Sequence, residues 1–216
     1  MSNAKVTNND VSDLLMVRPL QQLPATWTTK EIGTVASVTK LAGFEYSKYI
    51  KLEETGDIPV IRAQNIQKGR FVDENIKYIP REVSDFLVRS QVKEHEVLMT
   101  YVGEVGNVCL APRGRWHLAP NVAKISPHGI DPLYLCYYLQ SPIGQGNIKL
   151  HAKSTVQSNI SMSSIRNVLV NIPPLEEQKR ISLILSKADD LIQKVDQIIE
   201  QTQRLKMWCF QLQAFL

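Results

Sequence analysis

Four histidines and three cysteines are the residues from which a metal site or a nucleophile would be built. His95, His117, His128 and His151, with Cys109, Cys136 and Cys209, fall into no CxxC or HExxH spacing, so no metal ligand is expected. Each histidine reads as an isolated core or surface side chain. An odd number of widely separated cysteines argues against a disulfide framework and fits a reducing, cytoplasmic setting. Carboxylates occur at Asp57, at Asp73-Glu74 and at Glu94/Glu96. None stands in an acidic–acidic–lysine nuclease arrangement, and they read as solvated loop charges. The phosphate-cradling GxxxxGK[ST] and GxGxxG loops are absent too. The sequence therefore nominates no catalytic residue and no cofactor held by this chain.

Side chains suited to hydrogen bonding with a polyanion and with base edges cluster in three segments expected to be polar loops. Arg62, Gln64, Asn65, Lys68 and Arg70 follow one expected strand. Arginine suits guanine O6/N7, and Gln or Asn suits adenine N6/N7. Arg113 and Arg115 lie in a Pro/Arg/Gly-rich loop, and Lys149, Lys153, Ser154, Gln157 and Asn159 lie in a segment without acids. The net charge of +4 is unevenly spread. Residues 105–173 carry six Lys/Arg (Arg113, Arg115, Lys124, Lys149, Lys153, Arg166) against Asp131 alone, whereas residues 20–104 carry 11 basic and 12 acidic groups. Such a basic third is the footprint expected of a nucleic-acid partner. A chance shortage of acids on a solvated face would leave the same imprint.

These segments must be positioned by the elements around them. Residues 1–19 read as a flexible lead-in, and 20–173 as one α+β domain of short strands punctuated by Gly and Pro. Strands are expected at Ile32–Thr39, Asp57–Arg62, Glu96–Tyr101, Val108–Ala111 and Val122–Ile125. A helix is expected after Asp131-Pro132, with Asp131 as N-cap. Asn171-Ile172-Pro173-Pro174 comes near the catalytic tetrapeptide of amino-methyltransferases. An isoleucine interrupts it, however, and no aromatic follows Pro174, so it reads as a strand end entering a helix. From 174 to 216 there is no Gly or Pro after Pro174, and a heptad runs Ile181, Ile184, Ala188, Leu191, Val195, Ile198, Thr202, Leu205, Cys209, Leu212. Such a helix calls for a partner helix of its own length, in the form of a second copy or a related chain; the other reading folds it back on its own domain. No apolar run approaches the roughly 18 residues that cross a bilayer, so no membrane partner is expected.

Leu23-Pro24-x-x-Trp27, Gly56-Asp57-Ile58-Pro59-Val60-Ile61-Arg62, Val97-Leu98-Met99 with Gly103/Gly106, and Ser154 to Ile160 occur in that order. They are followed by the junction Ile172-Pro173-Pro174-Leu175-x-Glu177-Gln178-x-x-Ile181. Together they resemble the specificity subunits of type I restriction–modification systems, over about residues 20–210. The resemblance implies a target-recognition domain (20–173) and a spacer helix (174–216) that forms a coiled coil. It implies that the chain reads one half of a bipartite duplex DNA target and docks on modification (methyltransferase) and restriction (motor–nuclease) subunits. S-adenosylmethionine, ATP and magnesium would belong to those partners. The familiar subunit carries two recognition domains and two helices, and this chain has one of each, so it resembles a half-subunit that restores the pair as a homodimer. Two other classes remain open: a protein-interaction module with a dimerising helix, and an enzyme with an unrecognised carboxylate site.

Overall fold

The computed structural model describes residues 23–67, 69–152 and 158–213, with side chains of the last helix described to residue 208. The expected lead-in at 1–19 lies outside the described residues. Twelve strands and seven α-helices are described. In chain order they are β1 (Thr28–Glu31), α1 (Ile32–Val35), β2 (Ala36–Lys40), α2 (Gly43–Tyr49), β3 (Ile58–Ile61), β4 (Ile66–Gln67), β5 (Arg70–Phe71) and β6 (Lys77–Ile79). Then follow α3 (Arg81–Phe86), β7 (Gln91–Val92), β8 (Val97–Thr100), β9 (Val108–Leu110), β10 (Trp116–Leu118) and β11 (Val122–Pro127). The chain closes with α4 (Pro132–Gln140), α5 (Pro142–His151), α6 (Met162–Arg166), β12 (Leu169–Ile172) and α7 (Leu175–Gln213).

Two four-stranded sheets, ordered β2-β11-β8-β9 and β6-β3-β10-β7, form the domain's frame. The first is antiparallel throughout, and in the second β3 and β10 run parallel. β8 explains why Val97-Leu98-Met99 reads as a continuous apolar run. Val97 and Met99 enter the core shared with α4 and α5, while Leu98 enters the core toward β3 and β10. A strand covered on both faces has no polar side to alternate with. Lys124 and Glu96 stand at this layer as a buried ion pair, 3.4 Å apart. Lys124 Nζ also donates to the Gln91 carbonyl at 2.5 Å, and Ser126 Oγ donates to Glu96 at 2.6 Å.

Two expectations need correction. Ile32–Thr39 is not one strand, because a single helical turn precedes β2. Val168 O accepts from Ile32 N (2.9 Å), and the turn brings Ile32 and Val35 into the same core. Lys149 lies on α5, not in a loop. Ser141 caps α5, its Oγ accepting from Gly144 N at 3.1 Å, and Pro142 opens the first turn. That start repeats the Asp131-Pro132 pattern, but Gly144 and Gly146 weaken the helical signal.

α4 begins as expected, with Asp131 Oδ1 accepting from Tyr134 N at 2.8 Å. Asp131 also ties the domain to α7. Its backbone N donates to Gln178 Oε1 (2.8 Å), and Ser182 Oγ donates to its carboxylate (2.9 Å). Gln178 Nε2 donates to Pro173 O (2.8 Å), a carbonyl the helix ladder cannot use, and Tyr137 OH donates to Asp189 at 2.8 Å. Gln178, Ser182 and Asp189 share one face of the helix, spaced i, i+4, i+11. The heptad stripe lies roughly a third of a turn away at 100° per residue. Polar groups thus help to hold the start of α7 to its own domain, and from Leu191 to Trp208 every residue of the helix is exposed, the apolar stripe included. Ile184, Leu191, Val195, Ile198 and Leu205 are between 54% and 67% exposed, and Ala188 is exposed as well. Ile181 differs, being half-buried against the chain's own core. The Leu212 side chain lies outside those described. Among the described residues no helix is long and apolar enough to cross a membrane.

Candidate nucleic-acid interface

Four of the cations in the basic third of the sequence are drawn apart rather than gathered into one patch. Lys124 is buried against Glu96. Arg166 donates to the Val38 carbonyl (2.9 Å), Arg115 pairs with Asp85, and Arg113 lies 3.5 Å from Glu94. Cations close in sequence are thus dispersed among partners on a helix, a strand and the turn before β8. Arg113 and Arg115 also leave β9 at its far end from the Gly103–Gly106 turn. Arg115 lines a shallow hollow with Asp85 and Glu94.

The segment after β3 divides into a brace and a surface. Asn65 is buried and fully engaged, its Oδ1 accepting from Arg62 N (3.1 Å) and its Nδ2 donating to Val72 O (3.0 Å) and Glu74 O (2.9 Å). Arg62 donates to the Asn75 carbonyl. Both residues shape the loop, and Asn65 has no group left for a base, which corrects its expected role as a reader; Arg62 is half-buried, with one guanidinium nitrogen engaged by the loop. Gln64 and Gln67 are exposed, with Gln67 Nε2 donating to Gln64 O at 2.7 Å. Arg70 faces Gln67 across the β4–β5 hairpin, and no acid pairs with it among the described residues. Lys68 lies outside the described residues.

The third polar segment is anchored against the same region. Gly103 N donates to Ser158 O (3.0 Å), Val102 bridges to the exposed Asn159, and Ile160 N donates to Tyr101 O (3.0 Å). Lys149 is exposed on α5, one turn beyond Gln145, whose Nε2 donates to Gly106 O at 2.8 Å. Lys153, Ser154 and Gln157 lie outside the described residues. Lys40, with its Nζ 5.3 Å from the Tyr101 ring centroid, adds a cation that the charge count by sequence thirds did not single out. The fold thus gathers Gln64, Gln67, Arg70, Lys149 and Asn159 around the β8–β9 turn and leaves Arg113 and Arg115 outside. A cleft of about 550 Å³ opens between the hairpin and the turn, lined by Gln64, Gln67, Glu104 and Asn107 among others.

Other reactive groups are withdrawn into the interior. Burial pushes the Cys136 thiol up to about 12 and the Cys109 thiol well above its ordinary range. Burial holds the His117 imidazole below its usual range; its Nδ1 lies 3.0 Å from Leu118 O, and Nε2 is buried without a partner. Asp57 accepts from Arg81 N at the start of α3 (3.3 Å). Among the described residues no three His, Cys, Asp or Glu side chains converge as metal ligands.

A mixed α/β domain carried on a long helix, with an amide-lined cleft at one end of a β-hairpin, is the class of protein that these features define. The model of the type I restriction modification DNA specificity domain matches residues 24–204, and the chain belongs to that family. It is 26% identical over 155 residues to the type I restriction enzyme EcoBI specificity subunit of Escherichia coli, covering 68% of this chain and 33% of that one. Its identity with the MjaVIII specificity subunit of Methanocaldococcus jannaschii is 25% over 193 residues, covering 86% and 41%. The fold matches the HsdS subunit of Thermoanaerobacter tengcongensis with a TM-score of 0.57 at 19% identity, covering 87% of this chain and 45% of that one. A chain from a solved type I R-M system gives a TM-score of 0.62 at 20% identity, covering 88% and 46%. This chain spans less than half the length of each relative.

Proposed function

We propose that this chain reads one half of a bipartite duplex target for a type I restriction–modification system and pairs through α7 with a second copy of itself. The observation that carries the pairing is the exposure of the stripe. The start of α7 spends polar side chains on its own domain, and its Ile/Leu/Val stripe from Ile184 to Leu205 is left uncovered over more than three heptads. Isolated exposed apolar residues are ordinary, but a continuous stripe along a helix of about 60 Å is a contact surface. A twofold axis across antiparallel helices would hold two recognition domains apart and present them to two inverted, identical half-sites.

DNA contact is assigned to the turn, hairpin and α5 region. Lys40, Arg70 and Lys149 supply phosphate contacts, and Gln64, Gln67 and Asn159 supply polar contacts to bases. Methyl transfer and cleavage belong to modification and motor–nuclease subunits, which bring S-adenosylmethionine, ATP and magnesium. The test is to purify the chain with its neighbouring modification subunit and map methylated adenines in exposed DNA. Two inverted copies of one half-site at fixed separation are expected. A single uninterrupted site, or no sequence-dependent methylation, would overturn the reading.

A further inference from the structure

We infer that Glu104 is a base-reading residue that selects cytosine, a role within the target-recognition reading above and dependent on it. Glu104 sits at the tip of the β8–β9 turn, exposed on the wall of the 550 Å³ cleft opposite Gln64 and Gln67. The turn is rigidly built. Gly103 and Gly106 take φ of 81° and 94°, values that a Cβ disfavours. Gly106 N donates to Thr100 O (3.0 Å), Asn107 N donates to Thr100 Oγ1 (3.1 Å), and Thr100 Oγ1 donates in turn to the Glu104 carbonyl. α5 braces the turn from behind through Gln145.

The side chain is held as well. Asn107 Nδ2 donates to Glu104 Oε2 at 3.0 Å, and among the described residues no lysine or arginine pairs with this carboxylate. A carboxylate kept in place by an amide repels phosphate and gains from a polyanion only where a base offers a donor. In the major groove, guanine shows acceptors at N7 and O6 and thymine an acceptor at O4. Adenine sets its N6 donor beside the N7 acceptor, so a carboxylate there meets repulsion. Cytosine N4 is a donor with no acceptor beside it on the same base. The carboxylate therefore favours cytosine, and the facing glutamines suit an adjacent adenine.

The experiment is selection of the full-length chain on a random duplex library at low salt, comparing wild type with Glu104→Gln. The variant keeps the side-chain shape and the bond from Asn107. In wild type one cytosine column is expected, and in Glu104→Gln its preference should fall about tenfold or more, with the other columns unchanged. An unchanged logo with affinity raised for all sequences would mean that Glu104 only repels phosphate, and would overturn the inference while leaving DNA reading intact. A wild-type chain that enriches no sequence would overturn the DNA-reading proposal itself, and this inference with it. Should a thermal melt show Glu104→Gln unfolded, Glu104→Asp shortens the reach and keeps the charge. It should weaken the same column, and an unaltered column would again overturn the inference.

Discussion

Glu96 and Lys124 show how much a single buried pair decides in this fold. Each is about nine-tenths buried, and the pair links β11 to β8 and, through Gln91, to the second sheet. Removing one partner leaves an uncompensated charge, so Glu96→Gln should cost about 3–5 kcal/mol in denaturant unfolding. Glu94→Gln, at the exposed pair with Arg113, should cost about 0–1 kcal/mol. His117 gives the domain a pH dependence of definite sign. Burial lowers its folded pKa below the unfolded value of about 6.5, so its contribution is whole above that pH. As pH falls through 6.5 the unfolded chain takes up a proton that the folded one refuses, and stability declines. Melting temperatures measured from pH 7.5 to 5.5 should fall, and His117→Leu should flatten that slope.

At the scale of elements, the junction of α4 and α7 decides which way the long helix faces. Gln178 supplies both of its amide functions to backbone groups that neither helix can satisfy. Gln178→Ala leaves Asp131 N and Pro173 O without partners and should cost about 1–3 kcal/mol per group left buried. Tyr137→Phe removes only the bond to Asp189 and should cost about 1 kcal/mol. Both are read by thermal or denaturant unfolding. The Pro-Pro-Leu-Glu-Glu-Gln run owes its form to this joint. Pro174 O accepts from Glu177 N and Gln178 N to start the helix, and the glutamine side chain returns to Pro173.

For the whole molecule, the expectations concern assembly and charge. Ile198→Lys places a charge in the middle of the outward stripe. Light scattering should report a dimer for the wild-type chain and a monomer for this variant, with the domain's melting temperature nearly unchanged. Phosphate contact is counted by salt dependence. Lys149→Ala should reduce the slope of log K against log [salt] by about 1 per protomer without altering the preferred sequence. Arg115→Ala should leave that slope unchanged, because the Arg115 guanidinium is committed to Asp85 and Ser84.

The long helix, its heptad, the capped start of α4 and the strand at β8 were legible in the sequence, because each is written in local spacing, and spacing along a chain survives folding. Contiguity of charge does not. Arg115, Lys124 and Arg166 lie in one basic stretch, yet each finds a partner from a distant strand or helix, at Asp85, Glu96 and Val38. Asn65 and Gln64 are neighbours of similar chemistry. Only the return of residues 72–74 over Asn65 decides that one is a brace and the other a surface. Glu104 carried no signal of its own. It gains a role because the β8–β9 turn and the β4–β5 hairpin close around a common cleft; they belong to separate sheets, and packing, with Gln140 bridging Gly69 O and Val108 O, brings them there.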